Sequence, residues 1–108
     1  MENLFKILDS KEKERHNKEF IVFLADKEHP FFQSHFPNNE ILAGFLQIDI
    51  IANILKHNIK KIKKAKFLSI IKPNDIIKYN INSKDNISFK IIINNKEEKK
   101  VGEFIYEI

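Results

Sequence analysis

The sequence predicts one α+β domain, residues 1–108, in which an antiparallel sheet wraps around a single central helix. Two observations carry this. Residues 44–57 are apolar on nearly all sides over about four turns, as in a helix sunk in a core. Around that run lie β-like segments whose links are too short for anything but antiparallel neighbours.

Taken in order, residues 3–8 and 20–24 suggest the first two strands, a hairpin around the charged segment 9–18, with residues 3–8 short enough to form a helix instead. The second, Phe20-Ile21-Val22-Phe23-Leu24, is aromatic and β-branched, hence a buried strand. Residues 26–39 hold two prolines and no clean period, so they form a loop, with one helical turn near Phe31. The helix starts at Gly44. Four strands follow, at 65–71, 76–81, 87–93 and 101–108. Their breaks are Pro73-Asn74-Asp75, residues 82–86 and Asn94-Asn95-Lys96, where Pro, Asn and Asp supply turn chemistry.

Composition narrows the function. With 43% hydrophobic residues the chain is globular. No cysteine is present, which removes disulfides and thiolate metal sites. The first residues lack the basic and apolar regions of a signal peptide, and the run 41–55 is too short and polar to span a bilayer. A cytoplasmic protein without a membrane span is expected. The net charge of +4 comes almost wholly from lysine. The cluster Lys60-Lys61-Ile62-Lys63-Lys64 has no interleaved aromatic or glycine residues, so no nucleic-acid partner is expected. No His-Glu-x-x-His spacing occurs, and no metal is expected.

Three residues stand out chemically. Asp49 sits in an apolar helical run, where a carboxylate is costly unless paired or functional. Its expected burial would favour the protonated acid. Gly44 opens the helix, where backbone N–H groups have no helical partner and face the positive end of the dipole, an oxyanion site. His35 lies on a tight aromatic loop before them. An imidazole, an acid and a helix N-terminus suffice to move a proton beside a carbonyl and hold the oxyanion. His16 and His29 carry no such reading, and His57 is expected as a cation at the helix C-terminus.

Pro30-Phe31-Phe32-Gln33-Ser34-His35-Phe36-Pro37, followed by Ile41-Leu42-Ala43-Gly44-Phe45-Leu46-Gln47-Ile48-Asp49, resembles the signature of the FabA/FabZ-like 3-hydroxyacyl-acyl-carrier-protein dehydratases. The short chain and Lys72-Pro73-Asn74-Asp75 resemble most the compact ApeI-like thioester dehydratases. The likeness is concentrated in residues 28–53. It implies a hotdog fold, dimerised so that two sheets join. It also implies His35 as base, Asp49 as acid, 14 residues later, and Gly44 as the carbonyl-binding N–H. Phe32, Phe36, Phe45 and Asn53 are the substrate-binding residues it suggests. Ser34 and Asn38 stand where the family has glycine, Glu40 and Ala43 where it has proline.

The implied activity is dehydration of a 3-hydroxyacyl thioester, on acyl-carrier protein or coenzyme A, to the trans-2-enoyl thioester. No cofactor is needed, because the thioester already acidifies the α-carbon. A homodimer sharing its site is implied, with an acidic carrier docking near Lys60, Lys61, Lys63 and Lys64. Two alternatives remain: a hotdog thioesterase with the same helix N-terminus, and a non-catalytic acyl-binding or scaffolding subunit.

Overall fold

The computed structural model of the chain describes residues 1–34 and 38–108. Strands β1 (Phe5–Glu12) and β2 (Lys18–Leu24) are joined through a 3-10 turn at Glu14–His16. A single helical turn, α1 (Pro30–Gln33), precedes the main helix, α2 (Gly44–Leu55). Strands β3 (Lys61–Phe67), β4 (Ile76–Asn82), β5 (Ser88–Asn94) and β6 (Lys100–Glu107) complete the chain. All six strands form one antiparallel sheet in the order β1-β2-β4-β5-β6-β3. The α+β architecture is the one the sequence predicts.

Period-2 alternation builds the centre of the sheet. Ile77, Tyr79 and Ile81 of β4 are buried, as are Phe89, Ile91 and Ile93 of β5 and Phe104 and Tyr106 of β6. Leu46, Ile48, Ile50 and Ile51 of α2 join the same core. Burial of each such side chain stabilises by about 1.5–3 kcal/mol. Between β4 and β5 the Asp85 carboxylate accepts from the N–H groups of Ile87, at 2.9 Å, and Ser88, at 2.8 Å. Asn86 takes a φ of 60° in that turn, a left-handed conformation that asparagine enters more readily than most residues.

Three expectations need correction. The lysine-rich segment is itself a strand: β3 runs over Lys61–Phe67, earlier than the expected 65–71. A bulge at Lys63 lets Ile62, Ala65 and Phe67 oppose Tyr106, Phe104 and Gly102 of β6. The lysines hid this apolar set, and lysine is a common guard on an exposed sheet edge. β1 extends to Glu12, because residues 9–12 pair with β2 and Glu12 meets Lys18 directly across the ladder. The helix ends at Leu55, within a turn of the expected residue 57, closed by Lys56 at φ 56°. It is not buried on all sides. Phe45, Asp49 and Asn53 form an exposed face, while Ile48 and Ile51 are buried and Leu55 half-buried.

Beside β3, Glu103 is 5% exposed. It is ion-paired to Lys100 at 2.6 Å and to Lys64 at 2.7 Å. These two ammonium groups hold its pKa at about 2, below the ordinary 4.5. A depressed carboxylate contributes stability above its unfolded pKa and loses it as pH falls through the folded one. Glu103→Gln is therefore expected to lower the melting temperature at neutral pH. The gap from the parent should narrow below pH 4.5 and close near pH 2, as read from melting curves of both proteins across that range.

Candidate active site

The loop ahead of α2 begins with a well-capped turn. His29 Nδ1 accepts from the Phe31 N–H at 3.0 Å, and Pro30 occupies the first helical position. The His29 proton therefore sits on Nε2, which donates to the Glu2 carbonyl at 2.8 Å. This histidine ties the turn to the N-terminal segment, a structural job that the sequence does not announce. Ser34 Oγ donates to the Pro30 carbonyl at 2.7 Å. His35 and Phe36 lie outside the described residues. Phe32 is wholly buried in the core, whereas Phe31 lines the groove beside Asp49.

That groove is open, about 500 Å³, and lined by Phe31, Asp49, Ala52, Asn53, Lys56 and His57. Asp49 and Asn53 are four residues apart and share one helical face. Phe45 lies one turn earlier on that face and is 53% exposed. The burial expected for Asp49 does not occur within one chain, because the helix turns this face away from the sheet. His57, expected as a helix-terminal cation, is half-buried instead. Its Nδ1 lies 2.7 Å from Tyr106 Oη, and its ring centroid is 4.4 Å from that of Phe89. Burial, with Lys18 nearby, pulls its pKa below the ordinary 6.5, so the imidazole is neutral at neutral pH.

Gly44 is the first residue of α2. Ala43, at the N-cap, gives no side-chain cap, so Gly44 N–H stands where the helix offers no partner. Phe67 of β3 lies directly over it. A Cβ at Gly44 would stand 2.5 Å from Phe67 Cε2 and 2.8 Å from Cζ. Any larger residue there would have to displace the Phe67 ring. A second groove, about 250 Å³, runs along Gly44, Gln47, Phe67 and Leu68. A third, about 360 Å³, lined by Lys13, Lys18, Asn80 and Lys90, shares no residue with the other two.

Of the expected docking lysines, Lys63 is paired with Glu107 at 3.1 Å and Lys64 with Glu103 at 2.7 Å. Among the described residues no group of three or more His, Cys, Asp or Glu side chains could hold a metal ion. Within them no helix is long and apolar enough to cross a membrane. The sequence reading missed Phe67 and Gln47. Gln47 had a signal, being a polar residue in the first turns of an apolar helix.

Known proteins resemble this chain in sequence and in fold. A family model described as ApeI-like, ApeI dehydratase, matches residues 10–103. Two curated relatives are 3-hydroxyacyl-acyl-carrier-protein dehydratases FabZ. The one from Caldicellulosiruptor bescii is 34% identical over 61 residues, 44% of this chain and 44% of the relative. That from Lactiplantibacillus plantarum is 36% identical over 64 residues, 47% of this chain and 44% of the relative. The chain thus spans under half the length of the curated relatives it matches. Among solved structures, the dehydratase heterocomplex ApeI:P from Xenorhabdus doucetiae aligns with a TM-score of 0.81 at 16% identity, over 94% of this chain and 95% of that one. An uncharacterized protein from Erwinia carotovora subsp. atroseptica aligns with a TM-score of 0.76 at 16% identity, over 96% and 94%. These likenesses establish the hotdog fold.

The contact between Gly44 and Phe67 is testable. Gly44→Ala must push the ring aside, and is expected to destabilise by about 1 kcal/mol, at the low end of overpacking. In a Phe67→Ala background that cost should vanish, since the two residues are in direct contact. Urea unfolding of both single variants and the double variant measures the coupling.

Proposed function

The chain belongs to the ApeI-like dehydratase family, and from that premise we propose that it removes water from a 3-hydroxyacyl thioester to leave the trans-2-enoyl thioester. The substrate would be held on acyl-carrier protein or coenzyme A. The observation that carries this reading is the pairing, on one helix, of a Gly44 N–H with no partner among the described residues and a groove-lining Asp49.

In this reading the thioester carbonyl accepts from Gly44 N–H, which steadies the enolate-like charge near the positive end of α2. His35 takes the α-proton. Asp49 gives a proton to the β-hydroxyl, the C–O bond breaks, and water leaves as the double bond forms. The two groups then exchange the proton through solvent, and no cofactor enters. Phe36, Phe45 and Asn53 would contact the acyl chain.

The proposal includes a homodimer. Every residue of β3 is exposed, and so is the helix face carrying Phe45 and Asp49. Ile62 is 51% exposed and Phe67 42% exposed beside them. Joining two β3 edges would extend the sheet and cover both apolar surfaces. By the family resemblance, His35 of one chain would then work with Asp49 of the other. The proposed partner is an acidic carrier, and the proposed location is the cytoplasm. The Xenorhabdus structure is of a heterocomplex. Sedimentation of this chain as a monomer would move the proposal to a different partner chain.

The test is a panel of 3-hydroxyacyl thioesters, following both enoyl formation and free thiol. Enoyl product is expected. Free thiol without enoyl would favour a thioesterase. His35→Ala and Asp49→Asn should each cut dehydration by about 10² to 10⁴-fold. Mixing the two inactive variants should restore about a quarter of the parent rate, since each mixed dimer regains one intact site. No recovery from a mixture shown to exchange subunits would refute the shared site.

A further inference from the structure

Of the two polar atoms in the Gln47 side chain, only one has a hydrogen-bond partner among the described residues. Its Nε2 donates to the Leu42 carbonyl at 3.1 Å. A carbonyl partner accepts only, so the amide orientation is set and Oε1 must point the other way. Oε1 is buried and has no partner among the described residues, in a residue that is 3% exposed. Such atoms are rare in folded proteins, and each calls for a reason.

Its position supplies one. A Cβ at Gly102 would stand 3.5 Å from Oε1. Gly102 faces Phe67 across the β6–β3 ladder, and Phe67 in turn roofs Gly44. Gly44 and Gln47 are three residues apart, on neighbouring turns of one helical face, about 4.5 Å along the axis. The groove at this corner is bordered by Gly44, Gln47, Phe67, Leu68, Ser69 and Ile70. It combines one N–H donor, one deep acceptor and an apolar wall between them.

We infer that Gln47 is a positioning residue whose Oε1 accepts the amide N–H of the thioester's cysteamine unit. This rests on the dehydratase reading above. With its carbonyl on Gly44 N–H, a carrier or coenzyme A thioester continues through sulfur and two methylenes to a secondary amide. The methylenes match the wall of Phe67 and Leu68, and the amide N–H is the first donor along the arm. Phe67 is 42% exposed at the sheet edge. Exposed side chains change rotamer within nanoseconds, so the ring can turn aside without breaking the β3–β6 ladder. The unit recognised is common to both carriers, so Gln47 does not choose between them.

The experiment compares one 3-hydroxyacyl group on four thiols: acyl-carrier protein, coenzyme A, N-acetylcysteamine and butanethiol. Only the butanethiol ester lacks the amide. Gln47→Leu and Gln47→Met are measured beside the parent, with melting curves to show that each is folded. Both variants are expected to raise KM about three- to tenfold on the three amide-bearing esters, the loss of one neutral hydrogen bond, with kcat nearly unchanged. The butanethiol ester should be unaffected. The parent's relative rates on carrier and coenzyme A then identify the natural source of the arm. An equal loss on all four esters would overturn the inference and leave Gln47 as a prop for the Leu42 carbonyl. So would a parent protein with the same KM for the butanethiol and N-acetylcysteamine esters. If no ester is dehydrated, the dehydratase reading falls. Binding of the N-acetylcysteamine ester, weakened in Gln47→Leu, would then uphold the contact alone, and binding unchanged by the substitution would overturn it.

Discussion

Tyr79 Oη donates to the main-chain carbonyl of Gln47 at 2.8 Å, with the tyrosine wholly buried. This bond joins the middle of the sheet to the main helix. It settles how far α2 is shifted along β4 and how far it is rotated about its own axis. A buried phenol without a partner would be costly, and burial pushes its pKa well up, so the hydroxyl remains a donor. With that rotation held, Leu46, Ile50 and Ile51 face the strands. At 100° per residue, Phe45, Asp49 and Asn53 must then face away. The exposure of the candidate acid is a geometric consequence of how the helix is seated.

This explains what was legible in the residues. β4, β5 and β6 were readable because each alternates cleanly between core and surface, with Asn and Asp at the turns. The start of α2 was readable because Gly44 begins a long apolar run. The covering of α2 was not, since counting apolar positions cannot say which are covered by this chain's own sheet. Phe45 is as apolar as Leu46, yet the first is 53% exposed and the second 4%. β3 was misplaced for a similar reason. Its apolar residues, Ile62, Ala65 and Phe67, are thrown out of strict alternation by the bulge at Lys63, and the lysines between them imitate a solvated loop. Gly44 was recognised as special, but the contact that favours glycine there, the ring of Phe67, lies on a strand that joins it only in three dimensions.

The departures from the family signature have backbone explanations at three positions. Ser34 stands where the family has glycine, yet its φ of −72° and ψ of −23° are right-handed and open to any residue. Asn38, also in place of glycine, does take a left-handed φ of 69°. Asparagine is among the few side chains that enter this region routinely. Ala43 replaces a proline but keeps φ at −58°, within the range a proline ring imposes. The local path of the chain is therefore preserved by residues that tolerate it rather than enforce it. The cost falls on the unfolded state, which gains freedom where proline would have restricted it.

Charge on the β3 side of the sheet is arranged differently from what a lysine count suggests. Lys63 and Lys64 point at Glu107 and Glu103 on the neighbouring strand, and Lys100 reaches the same Glu103. Much of the positive charge expected to attract an acidic partner is thus spent holding β3 to β6. Those contacts steady the strand that carries Phe67, and through Phe67 the wall above Gly44. In the proposed reading, a carrier approaching this edge would meet a field weaker than its lysines imply. Long-range steering would then depend on the whole-molecule excess of +4 rather than on one patch. Recognition at the edge would rest instead on short-range contacts with the thioester arm, beside the helix N-terminus and the Gly44–Gln47 groove.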